Sequence, residues 1–207
     1  MRLFSIVAGF LFFAATAVAQ TPAVVDDDPD NVLIMQLKDG PVVIRMRPDL
    51  APNHVKRIKE LVRQGFYDGL TFHRVIPGAL VQGGDPKGTG EGGSGKMLKA
   101  EFSNESHVRG TVSMARAQGE DSADSQFFIC LKASPDFNRR YTVWGKVIRG
   151  MEFVNHIEPG DPESGHVINP DHIVSMRIES DPPRPVVPPS PPKAPGKIPK
   201  PTKSQAH

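Results

Sequence analysis

Proline and glycine set the first limit on this chain. It holds 21 prolines and 19 glycines in 207 residues. Proline removes a backbone donor and clashes inside a helix, and glycine costs more entropy to order than any other residue. Long helical bundles are therefore excluded and turn-rich β structure is favoured. The length suits one domain with accessory segments. A hydrophobic content of 38% and a charged content of 23% separate the chain from membrane-embedded and fibrous classes.

The accessories lie at the two ends. Met1-Arg2, the apolar run Leu3–Ala15 and Ala17-Val18-Ala19 before Gln20 form a positive start, an apolar centre and a small-x-small cleavage site. Residues 1–19 are predicted to be a signal peptide cleaved after Ala19, which implies a periplasmic or secreted protein. Residues 20–30, with Pro22, Pro29 and four aspartates, read as a loose linker. Residues 31–180 are the expected folded domain. From residue 181 onward, ten prolines fall in 27 residues with almost no large apolar side chains. Such a segment buries no core, and a disordered, polyproline-like tail is expected. The tail carries Arg184, Lys193, Lys197, Lys200 and Lys203 against Asp181, a net +4. With Arg2 set aside as well, the chain's +2 leaves 2 − 4 − 1 = −3 for residues 3–180. An acidic body does not support nucleic-acid binding. The basic tail is a candidate contact for an anionic surface or cell-wall polymer.

The body reads as short strands. Val32–Leu37 and Val42–Arg47 flank Lys38-Asp39-Gly40-Pro41, a hairpin signal. Ala51–Gln64 has helical spacing, with Val55, Ile58, Leu61 and Val62 on one face, Pro52 in the first turn and Gly65 as the stop. Further strands are predicted at Thr71–Ile76, Leu80–Gly83, Thr111–Met114, Gln126–Leu131, Thr142–Ile148 and His172–Glu179, with a second short helix at Glu152–Ile157. About eight strands and two helices, without a βαβ rhythm, point to an antiparallel barrel or sandwich.

Several familiar motifs fail on physical grounds. Gly88–Gly93 matches G-x-G-x-x-G, and Gly90–Lys96 matches most of a P-loop, but Met97 stands where a magnesium-binding hydroxyl belongs. Neither precedes a helical pattern whose amides could hold phosphate, so the segment reads as a long flexible loop. The seven histidines show no metal-ligand spacing. No cofactor or metal is expected. Cys130, the single cysteine, lies in an apolar run and reads as a buried, inert thiol. Asn104-Glu105-Ser106 is a glycosylation sequon, meaningful only in a glycosylating host.

One set of segments has no such bland reading. Phe72-His73-Arg74-Val75-Ile76-Pro77-Gly78 and Val81-Gln82-Gly83-Gly84-Asp85-Pro86 resemble the signature strand pair of the cyclophilins. The resemblance continues in order through Gly88-Thr89-Gly90, Gly110–Ala115, Ser125–Ile129 and Tyr141–Val147, over roughly residues 31–179. Within the family, the leader makes exported bacterial cyclophilins the nearest match. The resemblance implies an eight-stranded antiparallel barrel capped by two helices, and activity as a peptidyl-prolyl cis–trans isomerase.

That reaction needs no cofactor. Rotation about a peptide bond meets a barrier of ~18–20 kcal/mol because the twisted amide loses resonance. The prolyl nitrogen then regains a lone pair, which a guanidinium can address. The resemblance assigns this catalytic role to Arg74, with Gln82 orienting it. It places Phe128, Leu80, Ala79, Ala115, Arg116, Phe137 and Tyr141 in the substrate-binding cleft. Ala79 replaces a common Phe, Leu80 a common Met, Arg116 a common Asn and Asp136 a common Trp. Phe137 and Tyr141 stand for the neighbouring Leu and His. Two readings remain open at this level: an isomerase assisting the folding of exported proteins, and a proline-binding or chaperone module with weak or no catalysis. Proline-containing polypeptides are the expected partners, the resemblance also admits cyclosporin-like ligands, and a monomer is expected.

Overall fold

The computed structural model describes residues 28–182. The signal-peptide reading and the tail beyond Pro182 lie outside the described residues. The elements run in the order β1 (Val32–Gln36), β2 (Pro41–Met46), α1 (Pro52–Arg63), β3 (Arg74–Ile76), β4 (Leu80–Gly83), β5 (Thr111–Met114), β6 (Phe127–Cys130), β7 (Val143–Arg149), α2 (Met151–Asn155) and β8 (Ser175–Ile178). Eight strands form one sheet, ordered β3-β4-β6-β5-β7-β2-β1-β8, with every strand pair antiparallel. The sheet curls into a half-barrel. Register shifts in the β2–β7 and β5–β7 pairs provide local irregularities of the kind that bend strands.

The sheet wraps a core led by Leu33, Met35, Ile44, Met46, Phe72, Phe127 and Trp144. Aromatic edges lock part of it: Phe127 meets Tyr67 at 5.8 Å and Trp144 at 6.0 Å, both T-shaped. Helix α1 turns Val55, Ile58, Leu61 and Val62 inward, together with His54. Ala51 offers no capping side chain. Glu101, from a distant loop, takes its place: one carboxylate oxygen accepts the Asn53 N–H at 3.1 Å and the other accepts the His54 N–H at 3.0 Å and lies 2.6 Å from His54 Nδ1. A carboxylate there also faces the positive end of the helix dipole.

Two strands start three residues later than sequence periodicity placed them. Strand β3 begins at Arg74 rather than Thr71, because Phe72 and His73 are both buried and that stretch does not alternate. Strand β8 begins at Ser175 rather than His172. Ile173, which strict alternation over His172–Glu179 would set on the same face as Arg177, is fully buried. An isolated bridge, Thr71 to His172, and the Phe72 N–H to Asp171 carbonyl bond link these two leading segments across the curl. The end of the expected linker is also ordered. Pro29–Asn31 form a 3-10 turn, and Asp30 pairs with Lys59 at 2.6 Å and Arg63 at 2.9 Å. Arg63 further holds Asp181 at 3.0 Å, so the folded body reaches past residue 180.

Candidate active site

Strand register builds the site. Arg74 of β3 lies opposite Gln82 of β4, Gln82 opposite Phe128 of β6, and Phe128 opposite Ser113 of β5. Laterally paired residues share one face of a sheet. A parallel row, Ile76–Leu80–Cys130, lies two residues along on the same face. Period-2 alternation sends Phe127 and Ile129 to the main core, while Phe128 and Cys130 join Leu80 in a second, smaller cluster. The Cys130 thiol is buried there, and burial pushes it up to about 11, consistent with an inert side chain.

Above the second cluster lies an open hollow of about 490 Å³. Its lining includes Ile76, Leu80, Phe128, Phe137 and Tyr141, with Arg74, Gln82 and Arg116 as polar groups. Phe128, Phe137 and Tyr141 form a three-ring wall: centroids lie 5.5 Å apart for Phe128–Phe137, 5.4 Å for Phe128–Tyr141 and 5.2 Å for Phe137–Tyr141, all edge-on. His107 stacks behind Phe128 at 6.1 Å. Its Nδ1 donates to Asn138 Oδ1 at 3.1 Å, which leaves Nε2 to accept from the Ser113 hydroxyl at 2.9 Å. Burial lowers the His107 pKa, and a neutral ring suits both bonds.

The guanidinium of Arg74 is held at two points. Nε donates to the Ser164 carbonyl at 3.1 Å, and Nη1 donates to Gln82 Oε1 at 3.1 Å. The orientation of Gln82 follows from farther away. Gln126 Nε2 donates to the carbonyls of Gly90 and Gly92 at 2.9 and 2.8 Å, groups that can only accept. Gln126 Oε1 must then face Gln82, whose Nε2 donates to it at 2.9 Å. Gln82 Oε1 is left for Arg74. Backbone carbonyls of the glycine-rich loop thus decide which way the guanidinium is held.

That loop is not the slack segment its composition suggested. The Asp85 carboxylate accepts the N–H groups of Lys87, Thr89 and Gly90, and Asp124 accepts those of Ser94, Gly95 and Lys96 together with the Ser94 hydroxyl. Glycine suits the loop where it crosses these tethered carboxylates: a Cβ on Gly92 would run into Asp85 Oδ1, and one on Gly93 would fall 2.5 Å from Asp124 Oδ2.

Of the residues expected in the cleft, Arg74, Gln82, Leu80, Phe128, Ala115, Arg116, Phe137 and Tyr141 are brought together. Ala79 is the correction. It sits in the β3–β4 turn, donating to the Ile76 carbonyl and accepting from the Leu131 N–H, and it does not line the hollow. Phe137 and Tyr141 supply the aromatic wall instead. Arg116 lies over the Tyr141 ring, 5.1 Å from its centroid, and ties the carbonyls of Ala117, Gln118 and Arg140 at the rim. Sequence reading missed Ser164 and His166, because that irregular loop reaches the site through long-range contacts alone, among them the bridge from Arg74 to His166 and the Val75 N–H to Gly165 carbonyl bond. It also missed Gln126, although two-residue spacing from Phe128 puts both on one strand face.

Comparison with known proteins then decides the family. The model of the cyclophilin type peptidyl-prolyl cis-trans isomerase/CLD family matches residues 32–178. The chain belongs to the cyclophilins. A probable peptidyl-prolyl cis-trans isomerase of Brucella suis is 48% identical over 182 residues, covering 82% of this chain and 93% of the relative. Peptidyl-prolyl cis-trans isomerase B of Bacillus subtilis is 46% identical over 128 residues, covering 60% and 89%. Among solved structures, a Cryptosporidium parvum cyclophilin type isomerase crystallised in the presence of the dipeptide Ala-Pro matches with a TM-score of 0.67 and 32% identity, covering 72% of this chain and 99% of that one. A cyclophilin from Hirschia baltica matches with a TM-score of 0.66 and 28% identity, covering 73% and 74%. This cyclophilin is accordingly a peptidyl-prolyl cis-trans isomerase with an eight-stranded curled antiparallel sheet and two helices.

Proposed function

We propose that the chain isomerises X-Pro bonds of exported polypeptides, with Arg74 as the catalytic donor, Gln82 as its positioning residue and the Phe128–Phe137–Tyr141 hollow as the proline pocket. The observation that carries the site assignment is the lateral row Arg74–Gln82–Phe128, which puts a tethered guanidinium beside an aromatic hollow on one sheet face. A proline ring packed against Leu80 and Phe128 brings its nitrogen toward Arg74. As the amide twists, that nitrogen gains a lone pair and the guanidinium donates to it. The planar ground state offers no comparable acceptor, so the interaction is stronger in the transition state and lowers the barrier. A fall of ~7 kcal/mol, about five decades of rate, is a reasonable demand on pocket and donor together.

Donor orientation supports this assignment. Two of the guanidinium's groups are occupied by Ser164 and Gln82, while the others remain available for a substrate. Ala115 and Arg116 take the residue before proline, and Ala-Pro, the dipeptide named for the Cryptosporidium structure, is a fitting minimal ligand. Export rests on the leader, residues 1–19, with the periplasm or the exterior as the compartment and folding of exported proteins as the role. The test is protease-coupled isomerisation of an Ala-Pro peptide by wild type and Arg74→Ala. The substitution is expected to remove at least two decades of kcat/KM with an unchanged circular-dichroism spectrum. Undiminished turnover would refute the role of Arg74.

A further inference from the structure

We infer that the chain's own C-terminal segment is a ligand of this cleft, and that Ala194-Pro195-Gly196 is the sequence it takes. The inference rests on the proline-pocket reading above and adds the occupant.

Reach comes first. Arg63 holds Asp181 against the body, so the segment departs from a known point. The bridge between Thr71 and His172 puts the segment leading into β8 beside the one leading into β3, and the two run in opposite directions. Asp181 lies nine residues beyond His172, and Arg74 three beyond Thr71. At ~3.3 Å per residue the path from cleft to tail root is about 40 Å along the strands, and shorter in a straight line because the sheet curls. A domain of this size has a radius of gyration of about 15 Å, which agrees with such a span. Ala194 lies twelve residues beyond Pro182, and extended chain covers at most ~3.3–3.6 Å per residue, again about 40 Å.

Chemistry then selects among the bonds that reach. Lys200 before Pro201 would add a third cation to a cleft already holding Arg74 and Arg116. Ile198 before Pro199 presents a β-branched side chain at the rim. Ala194-Pro195-Gly196 carries the smallest neighbours on both sides of a proline. Lys193 and Lys197 flank it, and the hollow beyond Gln82 and Arg116 is lined by the opposite charges of Glu91 and Asp124. A tethered segment at roughly millimolar effective concentration competes with any weak peptide ligand of the same site.

The experiment is exchange NMR on the full chain with 13C-labelled proline. Cis–trans exchange at Ala194-Pro195 is compared with that in a free peptide of residues 183–207. Exchange at least tenfold faster in the full chain, independent of dilution and lost in Arg74→Ala, is the expected result. Pro195→Ala, outside the folded body, is expected to lower the apparent KM for an Ala-Pro test peptide about twofold with kcat unchanged. Exchange equal to that of the free peptide, in a chain that still turns over the test peptide through Arg74, would overturn this inference and leave the isomerase site standing. Acceleration that fades on dilution would put the segment in another copy's cleft and overturn the intramolecular assignment. Absence of turnover on both substrates would remove the site reading along with it.

Discussion

Replacing Gln82 by alanine isolates what orientation contributes to this site. In the wild type the Arg74 guanidinium is anchored by the Ser164 carbonyl and the Gln82 amide, each at 3.1 Å. The substitution deletes the second anchor and leaves Gln126 Oε1 without the donor it receives at 2.9 Å. A hydrogen bond to a charged group is worth ~1.5–3 kcal/mol, but Arg74 is only half-buried and water can replace part of it. A net loss of about 1–2 kcal/mol in transition-state stabilisation follows, or roughly 5–30-fold in kcat/KM. The apolar wall of the hollow, Leu80, Phe128, Phe137 and Tyr141, is unchanged, so kcat should carry the loss and KM should stay within about twofold. Protease-coupled kinetics on an Ala-Pro peptide over a range of substrate concentrations separates the two. Kinetics within twofold of wild type would show that Ser164 alone orients the donor. A loss as deep as that of Arg74→Ala would show that Gln82 acts on the substrate itself. Either outcome refutes the positioning argument.

Three further outcomes follow from the structure. Phe137→Ala removes one of three pocket rings, and a loss of ~1–2 kcal/mol of apolar contact should raise KM about tenfold with a smaller change in kcat. Asp124→Ala leaves the N–H groups of Ser94, Gly95 and Lys96 without their acceptor, and a cost of about 2 kcal/mol should lower Tm by ~4–8 °C in a thermal melt. Glu101 tests pH dependence. Burial works to raise its pKa, yet hydrogen bonds from His54 and Asn53 hold it below its ordinary value of 4.5. The unfolded chain therefore takes up this proton more readily, so the stabilisation is complete above about pH 4.5 and is lost as pH falls through the lower folded value. Glu101→Gln should cost ~1 kcal/mol in denaturant melts at pH 7, with the difference from wild type shrinking toward pH 3.

Much of this was legible in the residues because it depends on local periods. Alternation along Gln126–Leu131 separates Phe127 from Phe128 in any sheet, and the 3.6-residue spacing of Val55, Ile58, Leu61 and Val62 gives α1 a buried face wherever it packs. Arg74, Gln82 and Phe128 came together from motif blocks whose pairing is set by the tight Pro77-Gly78 turn and strand register. Where neighbours in space are distant in sequence, local pattern could not decide. Ser164 reaches Arg74 across 90 residues, Glu101 caps a helix 47 residues upstream, and Gln126 reads its orientation from Gly90 and Gly92. Ala79 shows the converse: its place in the motif suggested the cleft, but a turn backbone turns it aside. Sequence alone determined strand count and helix faces, since these follow from side-chain chemistry and nearest-neighbour geometry, and its resemblance to the cyclophilins named Arg74 as the candidate donor. Tertiary structure decided how the guanidinium is held and which rings wall the pocket, because hydrogen-bond direction and aromatic contact exist only after distant segments have met.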